Sequence, residues 1–420
     1  PACSASWRTE LCRKVRGFYE AFSAGGAAAR PGAPPAAVYG VAELLAAVLG
    51  SSANDRILCQ APSSESEVAS LRYLSLDAEV RFRELITSAR AVLFAGGTLE
   101  PRAEFAPLYA GHSPQASGAA QVAALVDNFS GRHVVPSAHI FARYVTHGPG
   151  GCALDFRRDK RSTAAQMSEL QAILSSAAAL TPGGVVFFFP SFEYLGVVAS
   201  SLGSRLGGRA VFVERRGAGE AMGEDSAPAG EGLLRSFAAT VRRDGGAVLL
   251  AVSGAKLSEG INFKDDLCRL VAVVGLPYPN ASDLGLLEKM KFLDACRARG
   301  EPGLTGRDFY TARCMKAVNQ CVGRSIRHAG DWAAALLLDH RYAQASISAA
   351  VSRWLREEAR EAKFADTKTA LKQFFAARSG SPPCPRICAC EGTVAVAEAP
   401  QAGEQSGAGA LVAAPAAVTT

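Results

Sequence analysis

Two arginines, Arg324 and Arg327, stand three residues apart in the run Gln320-Cys321-Val322-Gly323-Arg324-Ser325-Ile326-Arg327. The pattern predicts a helix from near Thr311 to His328, from one face of which both guanidiniums leave and converge on a single anionic group. Gly323 would keep that face open, and planar, permanently charged forks suit the charge that builds on a transferring phosphoryl group. The same spacing also fits a solvated basic helix face. Upstream lies Ser253-Gly254-Ala255-Lys256-Leu257-Ser258-Glu259-Gly260-Ile261-Asn262-Phe263, directly after the strand-like run Ala247 to Val252. A strand, a loop of small residues, an acid and a glycine make a turn that phosphate or a nucleic-acid backbone can approach closely.

The elements that must position these runs read as α/β. Val185 to Phe189, Ala247 to Val252, Leu270 to Val274 and Ala333 to Leu338 are short apolar runs, and helical patterns separate most of them. That alternation belongs to a parallel sheet with crossover helices, whose site is built by loops at the carboxyl ends of the strands. Phe187 to Phe189 read as core. Ahead of this sheet come a helix up to about Phe22, a linker from Ala24 to Ala37, a helix Val41 to Leu49 and a strand Arg56 to Cys59. A helix Ala78 to Ala89 and a strand-like run Ala91 to Ala95 follow. A β-like start after Val134 leads into a helix Ser162 to Ala179. The stretch Arg216 to Gly232 and the tail after Ser379 read as flexible. Asp339-His340-Arg341-Tyr342 follows a strand and fits either a contact in the cleft or a surface turn with a charged pair, and Trp332 and Trp354 read as packing residues.

With 420 residues, 49% apolar and 20% charged, the chain can bury a large core, which excludes a disordered protein. A net charge of +6 tilts weakly toward a polyanionic partner. No apolar run approaches bilayer length, so no membrane partner is expected. The 11 cysteines are scattered singly, as reduced thiols are. Cys384, Cys388 and Cys390 lack a matched partner pair, so no metal site is assigned.

Four blocks in order carry a resemblance. Ser258-Glu259-Gly260-Ile261-Asn262-Phe263 resembles motif V, and Gln320-x-x-Gly323-Arg324-x-x-Arg327 motif VI, of superfamily 2 helicases of the XPD type, the iron–sulfur group. Ala95-Gly96-Gly97-Thr98-Leu99-Glu100-Pro101 resembles motif III, and Phe187 to Leu195 motif IV. Gly96-Gly97-Thr98, Asn262 and Gly275-Leu276-Pro277-Tyr278-Pro279-Asn280 resemble the ChlR branch, associated with sister-chromatid cohesion. The similarity spans roughly Leu11 to Phe375.

The resemblance implies a 5′-to-3′ helicase in which two RecA-like domains clamp ATP and Mg2+ and walk on single-stranded or forked DNA. It makes Arg324, Arg327, Gln320 and Glu259 the catalytic candidates, and Gly323, Gly260, Asn262 and Gly254 the ATP-binding ones. Thr98, Ser191, Tyr194, Lys256 and Ser258 become the nucleic-acid-binding candidates. It also implies nuclear residence, replication or cohesion factors as partners, and a layout in three parts. Residues 1–110 would be a remnant of the first motor domain, 111–378 the RecA-like second domain, and 379–420 a disordered tail.

Neither a Gly-x-x-Gly-x-Gly-Lys-Ser/Thr phosphate loop nor a paired Asp-Glu motif occurs in the sequence. The family's cluster-binding cysteines lie between those two motifs, so an iron–sulfur cluster is implied for the longer protein and not for this chain. The expectation is a chain lacking the N-terminal motor domain and inactive alone as an ATPase. The alternative is a non-catalytic nucleic-acid-binding or scaffolding module. Ala255 stands where the branch prefers glycine, and a left-handed backbone there would be strained. Cys268 likewise replaces a usual glycine.

Overall fold

The computed structural model describes residues 40, 43–45, 47–48, 50–60, 70–96, 99, 101–110, 129, 135–216, 229–255, 263 and 265–378. The expected elements before residue 40 and the tail after 378 lie outside these. Strands β1 (Asp55–Gln60) and β2 (Ser70–Ser75) pair antiparallel, with Asp55 opposite Ser75. Helix α1 (Ala78–Ser88) opens on Asp77, whose side chain accepts from the Glu79 amide, and a short α2 (Ala106–Ala110) follows. The run Ala91 to Ala95 is not the expected strand. No described strand offers it a ladder, and Leu93 stands 90% exposed on irregular backbone.

The remainder is β3 (Ile140–His147), α3 (Ala164–Leu180), β4 (Val185–Phe189), α4 (Phe192–Leu202), β5 (Arg205–Leu206) and β6 (Arg209–Val213). Then come α5 (Ala229–Asp244), β7 (Val248–Val252), β8 (Leu270–Val274), α6 (Leu284–Ala298) and α7 (Gly306–Val322). The order closes with β9 (Ala333–Leu338), α8 (Ala345–Ser348), α9 (Arg353–Glu358), β10 (Ala359–Lys363) and α10 (Phe364–Ala376). The strands form one sheet, ordered β10-β3-β9-β8-β4-β7-β6-β5. Every neighbouring pair is parallel except β5 on β6.

Period-two alternation divides each central strand between two cores. Val186 and Phe188 of β4 join Phe237 of α5 and Met315, Val318 and Val322 of α7. Val185, Phe187 and Phe189 face the other way, against Leu170, Ile173 and Leu174 of α3, Tyr194 of α4 and Leu371 of α10. Helices cover both faces, which is why β4, β7, β8 and β9 are apolar without interruption. This is the expected α/β, RecA-like arrangement. Phe187 to Phe189 are core, at most 1% exposed. Trp332 packs against Phe374 and Phe375, and Trp354 lies against the first core.

Three readings are corrected. Helix α5 begins at Ala229, inside the stretch expected to be unstructured, because Leu233, Leu234, Phe237 and Val241 make an apolar stripe that the sheet buries. The Asp339 to Tyr342 turn is not on the surface. Asp339 is fully buried, accepting from the Phe156 and Arg341 amides and from the Arg341 guanidinium, while the Tyr342 hydroxyl donates to the Gly275 carbonyl. Ala255 carries no left-handed backbone: Gly254 takes the turn with φ +76°, and the single non-glycine at positive φ among the described residues is Asp265.

The hairpin region is tied to α6 and α7. Arg56 Nε donates to Glu288 at 3.0 Å, Lys289 reaches the Leu76 carbonyl, and Lys316 pairs with Glu104.

Candidate functional site

Helix α7 starts at Thr305, whose hydroxyl accepts from the Asp308 amide, and it lays Cys314, Met315, Val318, Cys321 and Val322 on the sheet. Asn319 fixes its far end by donating to the Ala350 carbonyl and accepting from the Ser352 amide, at 3.0 and 2.9 Å. The helix stops at Val322, six residues before the expected end at His328. Gly323 is its cap, and Ser325 turns back on the Val322 carbonyl with both its amide and its hydroxyl. Arg324 and Arg327 therefore leave a loop and not a helix face. A glycine followed by a serine that bonds the preceding turn competes with helical continuation.

The two arginines still share one neighbourhood. Burial first, then the charge on Arg324, lowers the proton affinity of Arg327, while Asp331 opposes that shift. Two cations close enough to feel each other form a field that favours an anion. Gln320, in the last turn of α7, is exposed, as is Arg327, and Arg324 is half-buried.

The Ser253–Phe263 segment begins at the carboxyl end of β7. The Val252 amide there donates to buried Glu214 at 2.8 Å, and the Ser253 amide to the Phe189 carbonyl. Exposed Gly254 makes the turn. Lys256, Ser258, Glu259, Gly260 and Asn262 lie outside the described residues, and so does Thr98. The chain is described again at Phe263, which is buried edge-on against Phe237. Two links join its continuation to the arginine loop. Asp265 Oδ1 lies 2.9 Å from His328 Nε2, and Arg269 Nη1 donates to Asp331 Oδ1 at 2.8 Å. The arginine loop thus lies at the amino ends of β8 and β9, beside the chain that comes from the carboxyl end of β7, and not at the strands' carboxyl ends where the alternation of elements placed the site: a crossover helix such as α7 runs back across the sheet before its next strand begins.

Asp331 is fully buried and also accepts from the Arg327 and Trp332 amides. Asp265, His328, Asp331 and Arg269 were not singled out from sequence. A signal existed: an acid between a basic loop and an apolar strand must be paired if the strand start is buried. Asp265, His328 and Asp331 could offer three ligand atoms to a cation, but the Arg269 guanidinium already occupies that carboxylate.

At the motif IV-like run, Ser191 caps α4, its hydroxyl oxygen accepting from the Tyr194 amide at 3.2 Å. Tyr194 does not offer its ring for stacking on a base. It is 1% exposed, set edge-on to Phe189 and under the Arg161 guanidinium, and its hydroxyl donates to the Arg161 carbonyl. A basic run, Arg157, Arg158, Lys160 and Arg161, adjoins this helix start; Arg158 and Arg161 approach Glu193 at 3.7 and 3.8 Å. The Arg157 guanidinium holds the Asp155 carboxyl well below the usual carboxylate range.

The described cysteines do not gather into a cluster-binding set. Cys268, Cys314 and Cys321 are buried in the core, and burial pushes the Cys321 thiol up to about 12. Cys268 fits at its position without a glycine, its thiol turned to the Leu270 carbonyl. These residues do not fit an iron–sulfur centre.

Residues 174–358 match the family model described as a helicase C-terminal domain. The chain is 33% identical over 395 residues to ATP-dependent DNA helicase chl1 of Aspergillus niger, covering 88% of this chain and 44% of that protein. It is 35% identical over 361 residues to ATP-dependent DNA helicase DDX11 of Mus musculus, covering 84% of this chain and 38% of that one. It thus spans about half the length, or less, of these relatives. A solved structure of S. tokodaii Xpd4 superimposes with a TM-score of 0.38 and 19% identity over 56% of this chain and 39% of that one. The helicase-domain match, the chl1 and DDX11 relatives and the ordered motif runs agree: over most of its length the chain is similar to part of the ATP-dependent DNA helicases chl1 and DDX11.

Proposed function

We infer that this chain supplies the second motor lobe of an ATP-dependent 5′-to-3′ DNA helicase. Arg324 and Arg327 would reach across a cleft to the γ-phosphate of an ATP held by a first lobe, with Gln320 orienting there. Glu259, Gly260 and Asn262 would link nucleotide state to strand grip, Gly254 and Gly323 would lie at the nucleotide, Lys256, Ser258 and Ser191 would meet the DNA backbone, and Thr98 would couple hydrolysis to movement from the first domain's side. The observation that carries this reading is the arginine loop fastened to the segment that continues from the motif V-like run, at Asp265–His328 and Arg269–Asp331. In a phosphoryl-transfer motor, catalysis is mostly positioning and charge stabilisation, which two arginines on a fastened loop provide.

Residues 1–110 would belong to the first motor domain, 111–378 to the second, and 379–420 to a tail. Mg2+ and the phosphates would be held by the phosphate loop and acidic pair of the first lobe, which this sequence does not contain. Nuclear residence and cohesion or replication partners belong to the same reading. A scaffolding or purely nucleic-acid-binding role is the alternative, and the basic run 157–161 beside α4 favours it.

ATP turnover of the expressed chain with single-stranded DNA separates the two. The motor reading expects no turnover from the chain alone and DNA-stimulated turnover once the lobe bearing the phosphate loop is supplied. Turnover by the chain alone, or none from the joined lobes, would contradict it.

A further inference from the structure

The strongest unassigned feature is the pair of links beneath the arginine loop, and it can be argued independently of any ligand. Arg269 immediately precedes β8, and Asp331 precedes Trp332 and β9, so the two residues sit at the amino ends of neighbouring parallel strands. Their side chains are 8% and 0% exposed. Arg269 makes further bonds to the Trp332 carbonyl and to Asp266, and stacks over the Trp332 ring at 4.2 Å. Asp331 spends its second oxygen on the Arg327 amide. A buried carboxylate that must keep three donors satisfied has little freedom, and neither has the backbone of the arginine it holds. The second link, Asp265 to His328, lies nearer the surface and joins the same two segments.

Asp265 sits at φ +53°, a backbone that an L-residue other than Asn or Asp rarely keeps. Its side chain meets His328 from that conformation at 2.9 Å. Both links run between one segment, 263–269, and one loop, 324–331.

We propose that Asp331, with Arg269, is a positioning residue: together with Asp265–His328 it latches the arginine loop to residues 265–269, which continue from the motif V-like run, so the loop and this stretch move as one body. The latch holds Arg327 by its backbone amide, which donates to Asp331 at 3.1 Å. Nucleotide contact at the arginines is thereby transmitted to the segment that meets DNA, a role that rests on the motor reading above. The latch itself does not rest on it.

Amide hydrogen exchange on this full chain tests the latch directly. Asp331→Asn removes the buried charge; because that variant can lose its fold, His328→Ala, at a half-buried loop position, serves as the second. Either change should raise exchange about tenfold in 324–331 and in 263–269 together, with α3 and β4 unchanged. Faster exchange confined to the substituted loop, or unchanged exchange in both variants, overturns the latch.

ATP turnover by the chain joined to a phosphate-loop lobe then tests the positioning role. His328→Ala should lower kcat about tenfold with single-stranded DNA affinity unchanged, and should add nothing to the loss caused by Arg327→Ala. Additive losses overturn action through Arg327. Full turnover by Arg327→Ala alone would sink the motor reading and the positioning role with it, while the exchange result would still decide whether the latch exists.

Discussion

The sheet region from residue 135 onward and the hairpin region of residues 55–110 treat apolar surface in opposite ways. In the sheet, β4, β7, β8 and β9 are buried along their whole length, and the buried carboxylate Asp339 is paired with Arg341. In the hairpin region, Ile57, Leu71, Val80 and Leu85 stand about half exposed, and Leu93 almost fully. The two regions nevertheless belong to one compact unit, with Arg56–Glu288 and Lys316–Glu104 as polar attachments between them. A complete core and a face still offering apolar surface should respond differently to substitution.

The largest effects belong to the sheet. Asp339→Ala strips the partly buried Arg341 of its fully buried carboxylate partner and should cost about 3 kcal/mol in denaturant unfolding. Phe188→Ala, which empties a fully packed site, should cost about 3 to 5 kcal/mol. If either cost less than about 1 kcal/mol, the sheet would not be the completed core described here. Acid should act next. Arg157 depresses the Asp155 carboxyl below its unfolded value of about 4, so its contribution is complete above roughly pH 5 and is lost as pH falls below that. Asp155→Asn should flatten the stability profile between about pH 5 and 2; an unchanged acid slope would mean that the pair contributes nothing. The smallest effect belongs to the hairpin region. Leu93→Ser should shift unfolding by no more than about 0.5 kcal/mol while weakening association with the phosphate-loop lobe. A large stability loss would show that Leu93 is covered within this chain.

Much of the sheet was legible because parallel strands buried on both faces leave an unambiguous apolar run, as Val185 to Phe189 does. The strand β10 was not legible: Ala-Arg-Glu-Ala-Lys is an edge strand with one covered face, and its composition reads as helix or turn. Ala91 to Ala95 failed in the other direction, since an apolar run without a neighbour to pair with has no ladder. In the candidate site, Gln320, Gly323, Arg324 and Arg327 could be found by type and spacing, but their backbone could not. A helical period was read through Gly323, whereas Ser325 and Asp331 capture the chain and turn it into a loop. Asp331 and Arg269 were illegible because they lie 62 residues apart and meet only through the parallel pairing of β8 with β9. Tyr194 illustrates the limit of motif transfer: its position in the motif IV-like run suggested a strand contact, and its ring is core.

The central claim is that Arg324 and Arg327 complete an ATP site shared with a second lobe. Its most direct test is DNA-stimulated ATP turnover by the joined lobes carrying Arg327→Ala, with single-stranded DNA affinity measured on the same preparation. The account expects turnover to fall by about 10³-fold or more, the range seen for arginine fingers, with DNA affinity within about twofold of the parent. Parental turnover, or loss of DNA binding with hydrolysis intact, would contradict it.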